Sequence, residues 1–185
     1  MNLIDRSASY LTQAIRNNNP NAGSETALKY SLILLINTGS AILISLMLSS
    51  ITGRATYALL SVSGFLILRY FSGGLHLSSS VSCCIFSSII VTIVAHAGFQ
   101  FKPYGITLCI LAILILLITA PNGIQGISRI DPMYYPLLKL ISILIVAADF
   151  FIQSSVLAAA FFIQAVLTTP FAYYLVDLFE RRVAR

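Results

Sequence analysis

The sequence predicts an all-α integral membrane protein: about six transmembrane helices, preceded by an N-terminal amphipathic helix in the membrane interface. Hydrophobic residues make up 58% of the chain and charged residues 9%, whereas soluble domains contain roughly 45–50% and about 25%. Hydrophobic segments recur from Leu32 nearly to the C-terminus and leave no room for a separate soluble domain. We therefore expect one membrane domain over residues 1–185.

The N-terminal segment has the pattern of an amphipathic helix. Apolar residues recur at helical spacing between Leu3 and Ile15, and Asp5, Arg6, Gln13 and Arg16 occupy other positions of the helix. Such a helix is expected to lie in the membrane interface. The Asn-, Pro-, Gly- and Ser-containing stretch that follows ends it. The predicted organisation is a cytoplasmic-side segment (1–28), transmembrane helices (29–179) and a basic cytoplasmic tail (180–185).

Six later segments approach the length of a membrane span, which is about 20 apolar residues, with roughly 17 as a lower limit. They are Ser31–Ile51, Ala55–Phe71, Ser80–Gly98, Tyr104–Ala120, Leu137–Gln153 and Ser155–Phe179. The second is short, and the fifth and sixth are divided only by residues 153–155. Thr169-Pro170 can kink the sixth segment.

The basic residues divide unequally between the two sides of a six-span arrangement. One side receives only Arg54 and Lys102. The other receives Arg6, Arg16, Lys29, Arg69, Arg129, Lys139, Arg181, Arg182 and Arg185. Positive charge concentrates on the cytoplasmic side of membrane proteins, so both termini and the loop between the second and third segments are predicted to be cytoplasmic. The dispersed charge indicates contact with membrane lipid and no nucleic-acid partner.

The stretch from Arg69 to His76, followed by Cys83-Cys84, is the candidate site. Polar groups at the border of two apolar segments are a functional-site hypothesis by default. A thiolate is the useful form of a cysteine nucleophile, and a basic partner or a helix N-terminus stabilises it. Gly73-Gly74 supplies conformational freedom for a turn. Capping of the third segment by Ser78, Ser79 or Ser80 would put both cysteines in its first turns.

Helical geometry sets a condition on this pair. On one continuous helix, His76 and Cys83 would share a face but lie about 10.5 Å apart along the axis. A Cys–His pair needs contact near 3 Å, or somewhat looser. Residues 72–79 must therefore leave the helix and turn back, or the pair must form in another way.

Other interpretations of these residues stay open at this point. A glycine turn, an interfacial histidine and small apolar cysteines can occur together without catalysis. A zinc site is disfavoured because His76 and adjacent cysteines lack the usual four-ligand spacing. Ser82 and Cys84 are alternative nucleophiles. Arg69 can bind lipid phosphate or a substrate carboxylate or carbonyl.

The whole chain also permits a non-enzymatic transporter or membrane scaffold. A transporter would be favoured by paired intramembrane charges or by broken helices in two matching halves. Asp149 stands alone, and it is expected near the outer turn between the fifth and sixth segments. His96 is expected at the outer interface, away from His76, and Cys109 is expected to be apolar filler.

The stretch Arg69-Tyr70-Phe71-Ser72-Gly73-Gly74-Leu75-His76, with Cys83 seven residues later, resembles the signature of the accessory gene regulator protein B (AgrB) family. These are bacterial membrane endopeptidases that process quorum-sensing peptide precursors. Ala120-Pro121 and the segment 164–170 are similar to family features, and the resemblance extends over nearly the full chain.

The resemblance implies a multi-pass protein of the bacterial cell membrane with His76 and Cys83 as the catalytic pair. Arg69, Gly73 and Gly74 would bind substrate, and no metal or cofactor is required. The implied partner is a short amphipathic propeptide, whose C-terminal tail would be cleaved through a thioester acyl-enzyme. Attack by a propeptide side chain would then give a cyclic thiolactone or lactone. A homodimer is compatible with the resemblance, and no sequence feature demonstrates it.

Overall fold

The predicted all-helical fold is confirmed by a computed structural model that describes residues 3–19, 21–75, 77, 79–123 and 131–183. A π-helical turn, Phe101–Gly105, leads into α5, and a 3-10 turn, Pro132–Tyr134, leads into α6. Within the described ranges the chain forms eight α-helices: α1 (Leu3–Asn18), α2 (Glu25–Ile51), α3 (Ala55–Ser72), α4 (Ser80–Ala95), α5 (Ile106–Thr119), α6 (Tyr135–Ile152), α7 (Ser155–Val166) and α8 (Pro170–Val183).

The chain is an integral membrane protein with four or five candidate spans. Four helical stretches in the described ranges are long and apolar enough to cross a bilayer: Glu25–Ile51, Ala55–Ser72, Phe101–Thr119 and Pro132–Ile152. The number becomes five if α7 and α8 together form one bent span. α4 has 16 residues, which is just under the usual lower limit of about 17. Six full-length spans are therefore not confirmed.

The predicted sixth segment, Ser155–Phe179, is not one straight helix. α7 ends at Val166, α8 begins at Pro170, and the two helices are bent by 74°. Pro170 has no backbone N–H to donate into the preceding turn, so the regular helical ladder cannot pass through it. The amides of Thr168 and Thr169 instead close a tight turn, donating to the carbonyls of Ala165 and Val166 at 3.1 and 3.0 Å.

α7 lies at the centre of the bundle, where it packs against α3 and α5 and also contacts α4 and α6. Most of its residues are buried: Val156, Leu157, Ala158, Ala160, Phe161, Gln164 and Ala165. Gly64 allows the close approach of α3, because a Cβ atom there would lie 2.6 Å from Cδ2 of Leu157. This central helix supports the candidate site.

Two polar residues noted in the sequence lie at helix ends remote from Cys83. The buried Asp149 carboxylate, in the last turn of α6, accepts a hydrogen bond from the Ser154 amide at 3.1 Å. His96 follows the last residue of α4, and its Nε2 lies 2.9 Å from Oγ1 of Thr52 in the turn after α2. His96 therefore links two helix ends on the side opposite to the start of α4.

The predicted N-terminal helix is confirmed as α1, which reaches three residues beyond Ile15, to Asn18. It packs against α2 and against the start of α4. The Ser80 hydroxyl donates to the Asp5 carboxylate at 3.1 Å, and Arg16 forms an ion pair with Glu25 at 3.4 Å. α1 is thereby fixed beside the first turn of α4.

Candidate active site

The connection between α3 and α4 leaves the helical path immediately after Ser72. Gly73 has φ 69° and ψ −148°, and Gly74 has φ 133°. Residues with a Cβ rarely adopt these conformations, so glycine is needed at both positions. The condition that the chain must leave the helix is confirmed for residues 73–75, 77 and 79, none of which is helical.

Backbone hydrogen bonds attach this loop to two distant segments. The Gly74 amide donates to the Asn122 carbonyl at 2.8 Å, and the Asn122 amide donates to the Ser72 carbonyl at 3.1 Å. Together these bonds form a short parallel bridge between the loop and the chain after α5. The Leu75 amide donates to the Leu167 carbonyl at 3.2 Å. The loop is therefore hydrogen-bonded to the residues that follow both α5 and α7.

Buried side chains reinforce this attachment. Nε2 of Gln164, which is fully buried on α7, donates to the Gly73 carbonyl at 2.7 Å and to the Ser72 hydroxyl at 3.0 Å. Nδ2 of Asn122 donates to the Thr168 carbonyl at 2.7 Å. Sequence reasoning gave no role to Gln164 or Asn122. A long polar side chain inside an apolar segment was the signal for Gln164.

Arg69 turns toward the loop from the last turn of α3. Its guanidinium donates to the Leu75 carbonyl, and its Cζ atom lies 6.0 Å from the ring centroid of Phe65. A Cβ atom at Gly74 would lie 3.4 Å from Nη1 of Arg69 and 3.1 Å from Nε2 of Gln164. Arg69 and Gly74 thus pack tightly, and their contact with substrate stays a prediction.

The two adjacent cysteines differ in their surroundings. Cys83 is half-buried in the first turn of α4, and its amide donates to the Ser79 carbonyl at 3.0 Å. It lines a small pocket together with Arg69, Leu75 and Leu77. Cys84 is only 6% exposed and does not line that pocket. Ser79 precedes α4, but its side chain makes no capping hydrogen bond.

A much larger cavity of about 560 Å³ opens beside Cys83, between α2, α3 and α4. Arg69, Gly73, Gly74 and Cys83 line one part of it. The expected nucleophile and the three expected substrate-binding residues therefore meet at one cavity, whereas the alternative nucleophiles Ser82 and Cys84 do not line it. Among the described residues, no group of three or more His, Cys, Asp or Glu side chains is placed to hold a metal ion.

The family described as Accessory gene regulator B matches residues 4–169 of the chain. The chain belongs to the AgrB family. Among curated proteins and solved structures, no significant match is found. Membership confirms the family resemblance and implies an AgrB-like peptide-processing role with a peptide substrate. The family is known for peptidases.

His76, the second member of the expected AgrB pair, lies outside the described residues, as does Ser78. The pairing of His76 with Cys83 stays a prediction. The described neighbours of His76, Leu75 and Leu77, both line the small pocket that contains Cys83. Leu75 and Leu77 therefore lie beside the first turn of α4.

Proposed function

We propose that this AgrB-family protein is a cysteine endopeptidase that cleaves the C-terminal tail from a short amphipathic quorum-sensing propeptide. Cys83 is the nucleophile, and His76 is its base. The supporting observation is the position of Cys83 in the first turn of α4, where it faces both the glycine loop and the large cavity. A helix N-terminus stabilises negative charge on a thiolate.

The proposed reaction begins when His76 takes the thiol proton of Cys83. The sulfur attacks the carbonyl carbon of the scissile peptide bond, a thioester forms, and the C–N bond breaks. His76 returns the proton to the leaving amine, and the C-terminal tail departs. No cofactor enters this sequence, because the thiol supplies the nucleophile and the imidazole carries the proton.

A thioester retains much of the acyl-transfer energy, so ring closure can follow without ATP. A cysteine or serine side chain of the propeptide attacks the thioester carbonyl, forms a thiolactone or lactone, and releases the Cys83 thiol. Attack by water instead would give a linear product. Apolar walls around Cys83, including Leu75 and Leu77, favour ring closure over hydrolysis because they restrict the access of water to the thioester.

We also propose an orientation with six crossings, α2 to α7, and with both termini and the glycine loop on the cytoplasmic side; α4, with 16 residues, and α7, with 12, are shorter than a full-length span. The ends of α3, α5 and α7 meet at the loop through the Gly74–Asn122 and Leu75–Leu167 hydrogen bonds. Alternating crossings of six helices would bring those three ends to one side. The nine-to-two division of basic residues favours the cytoplasm for that side.

Mass spectrometry after co-expression with a short amphipathic propeptide that the wild-type protein processes tests the peptidase assignment. We expect Cys83→Ala to abolish tail loss, while Cys84→Ala, the matched neighbour, retains it. His76→Ala should also abolish tail loss, because the proton then has no acceptor. Unchanged processing by Cys83→Ala would exclude Cys83 as the nucleophile and favour either Cys84 as the nucleophile or a transporter or scaffold.

A further inference from the structure

The large cavity extends well beyond the residues that the peptidase chemistry uses. On α2 it is lined by residues of a single helix face, spaced three and four apart. They are Leu34, Asn37, Thr38, Ala41, Ile42 and Ser45. On α4 it is lined by Cys83, Ser87 and Val91, each four residues after the last. The cavity is therefore a channel along the helices that begins at the nucleophile.

The dimensions of this channel suit a short stretch of extended peptide. Cys83 and Val91 are separated by eight residues of helix, which corresponds to about 12 Å. An extended chain covers about 3.3 Å per residue, so about four residues fit along this length. The volume of about 560 Å³ falls within the roughly 300–1,000 Å³ typical of ligand sites.

The walls combine apolar surface with a hydrogen-bonding group that lacks a partner. Val62, Phe65 and Leu66 of α3 make one wall apolar. Asn37 on the opposite wall is only 9% exposed, and its Oδ1 has no hydrogen-bond partner among the described residues. A buried amide oxygen without a partner is costly. Because the terminal torsion of asparagine is soft and roughly two-fold, rotation about it presents either amide atom to an occupant.

We propose that this channel binds the acyl-side segment of the peptide substrate, the roughly four uncharged, largely apolar residues that precede the cleaved bond. Asn37 hydrogen-bonds to the backbone of that segment and acts as a substrate-binding residue. The assignment of the channel to the acyl side of the cleaved bond rests on the proposed function. The thioester keeps the acyl side attached to Cys83, whereas the tail must leave. A lipid acyl chain has no amide and would leave Asn37 without a partner.

Alkylation of Cys83 by a peptide reagent tests the channel without requiring cleavage. The protein, with Cys84→Ala and Cys109→Ala, is placed in liposomes and treated with an acetylated Leu-Leu-Val-Phe chloromethyl ketone. The Cys83 sulfur forms a bond to the reagent carbon, chloride leaves, and the thiol proton is released. Two further reagents are used in parallel. Iodoacetamide measures the reactivity of the Cys83 thiol, and N-decylmaleimide tests whether the channel accepts a lipid-like chain.

We expect peptide alkylation to saturate with reagent concentration. Asn37→Leu should raise the half-saturating concentration about 3- to 10-fold, the effect of one lost neutral hydrogen bond. Ala41→Phe should fill the channel and abolish saturation. Leu43→Phe is the matched control because Leu43, on the same helix, is 64% exposed and does not line the channel. Iodoacetamide rates should stay within about twofold in every variant, which shows that the fold persists.

Two results would overturn the inference. One is peptide alkylation that does not saturate, or that is equal in Ala41→Phe and Leu43→Phe. The other is decylmaleimide labelling that Ala41→Phe blocks and Asn37→Leu leaves unchanged, together with no preference of Cys83 for the peptide reagent. That result would assign the channel to lipid. Loss of the proposed peptidase function would show separately, as unchanged tail loss in Cys83→Ala.

Discussion

Gln164 is the residue on which the shape of the glycine loop most depends. It is fully buried, and its amide nitrogen bonds to both the Gly73 carbonyl and the Ser72 hydroxyl. The two partners lie more than 90 positions earlier in the chain, so the contact joins α7 to the end of α3. Neutral hydrogen bonds contribute about 1 kcal/mol each, and leaving a buried acceptor unpaired costs about 1–3 kcal/mol.

Gln164→Leu is therefore expected to destabilise the protein and to misplace the loop beside Cys83. We expect a loss of about 1–3 kcal/mol, seen as a fall of roughly 2–10 °C in the Tm followed by circular dichroism in detergent. Tail removal in the co-expression assay should fall more steeply than stability. Gln100→Leu, the same change at an exposed position between α4 and α5, should do neither. Equal Tm values for the two variants would contradict the bonding role of Gln164.

The contact between α3 and α7 is the packing feature that supports the site at the scale of elements. A Cβ atom at Gly64 would lie 2.6 Å from Leu157 Cδ2 and 3.4 Å from Phe161 Cε1. The end of the Leu157 side chain can rotate away from one methyl group, so Gly64→Ala should change stability by less than about 1 kcal/mol. Gly64→Leu should overpack the interface and cost about 1–3 kcal/mol.

Gly39 on α2 gives the matched control for this prediction, because nothing lies within 4 Å of a Cβ built there. Gly39→Leu should stabilise its helix slightly, since leucine has a higher helix propensity than glycine by somewhat under 1 kcal/mol. Thermal unfolding of the three variants measures the difference. A Gly64→Leu protein as stable as Gly39→Leu would show that α3 and α7 are not closely packed.

Sequence patterns predicted most helices but not how the chain holds its site. Long apolar runs bounded by turn residues identified α3 to within one residue and the end of α2, which begins six residues before the predicted Ser31, and helical periodicity identified α1. The Pro170 break changed one expected span into two helices. The attachment of Gly73 by Gln164 was not predicted, because a hydrogen bond across 91 positions depends on tertiary packing rather than on local pattern.

At the scale of the whole molecule, α8 determines where the chain ends relative to the membrane. It turns 74° from α7, and one of its faces exposes Phe171, Tyr174, Leu175 and Leu178. Asp177 and Arg181 form an exposed ion pair at 2.7 Å. An apolar face combined with charged residues is typical of a helix that lies in the membrane interface. Such an α8 would lie on the same side as α1, next to the glycine loop.

Cysteine labelling distinguishes this arrangement from one in which α4 does not cross. Thr26→Cys at the start of α2, Ser50→Cys at its end and Asp177→Cys in α8 would be introduced singly into a protein with Cys83→Ser, Cys84→Ala and Cys109→Ala. With six crossings and an interfacial α8, an impermeant maleimide should label only position 50 in intact cells, and positions 26 and 177 only after permeabilisation. Without α4, five crossings would put positions 26 and 177 on opposite sides. Labelling of 177 but not 26 in intact cells would therefore overturn the six-crossing orientation, and with it the shared side of the termini and Cys83.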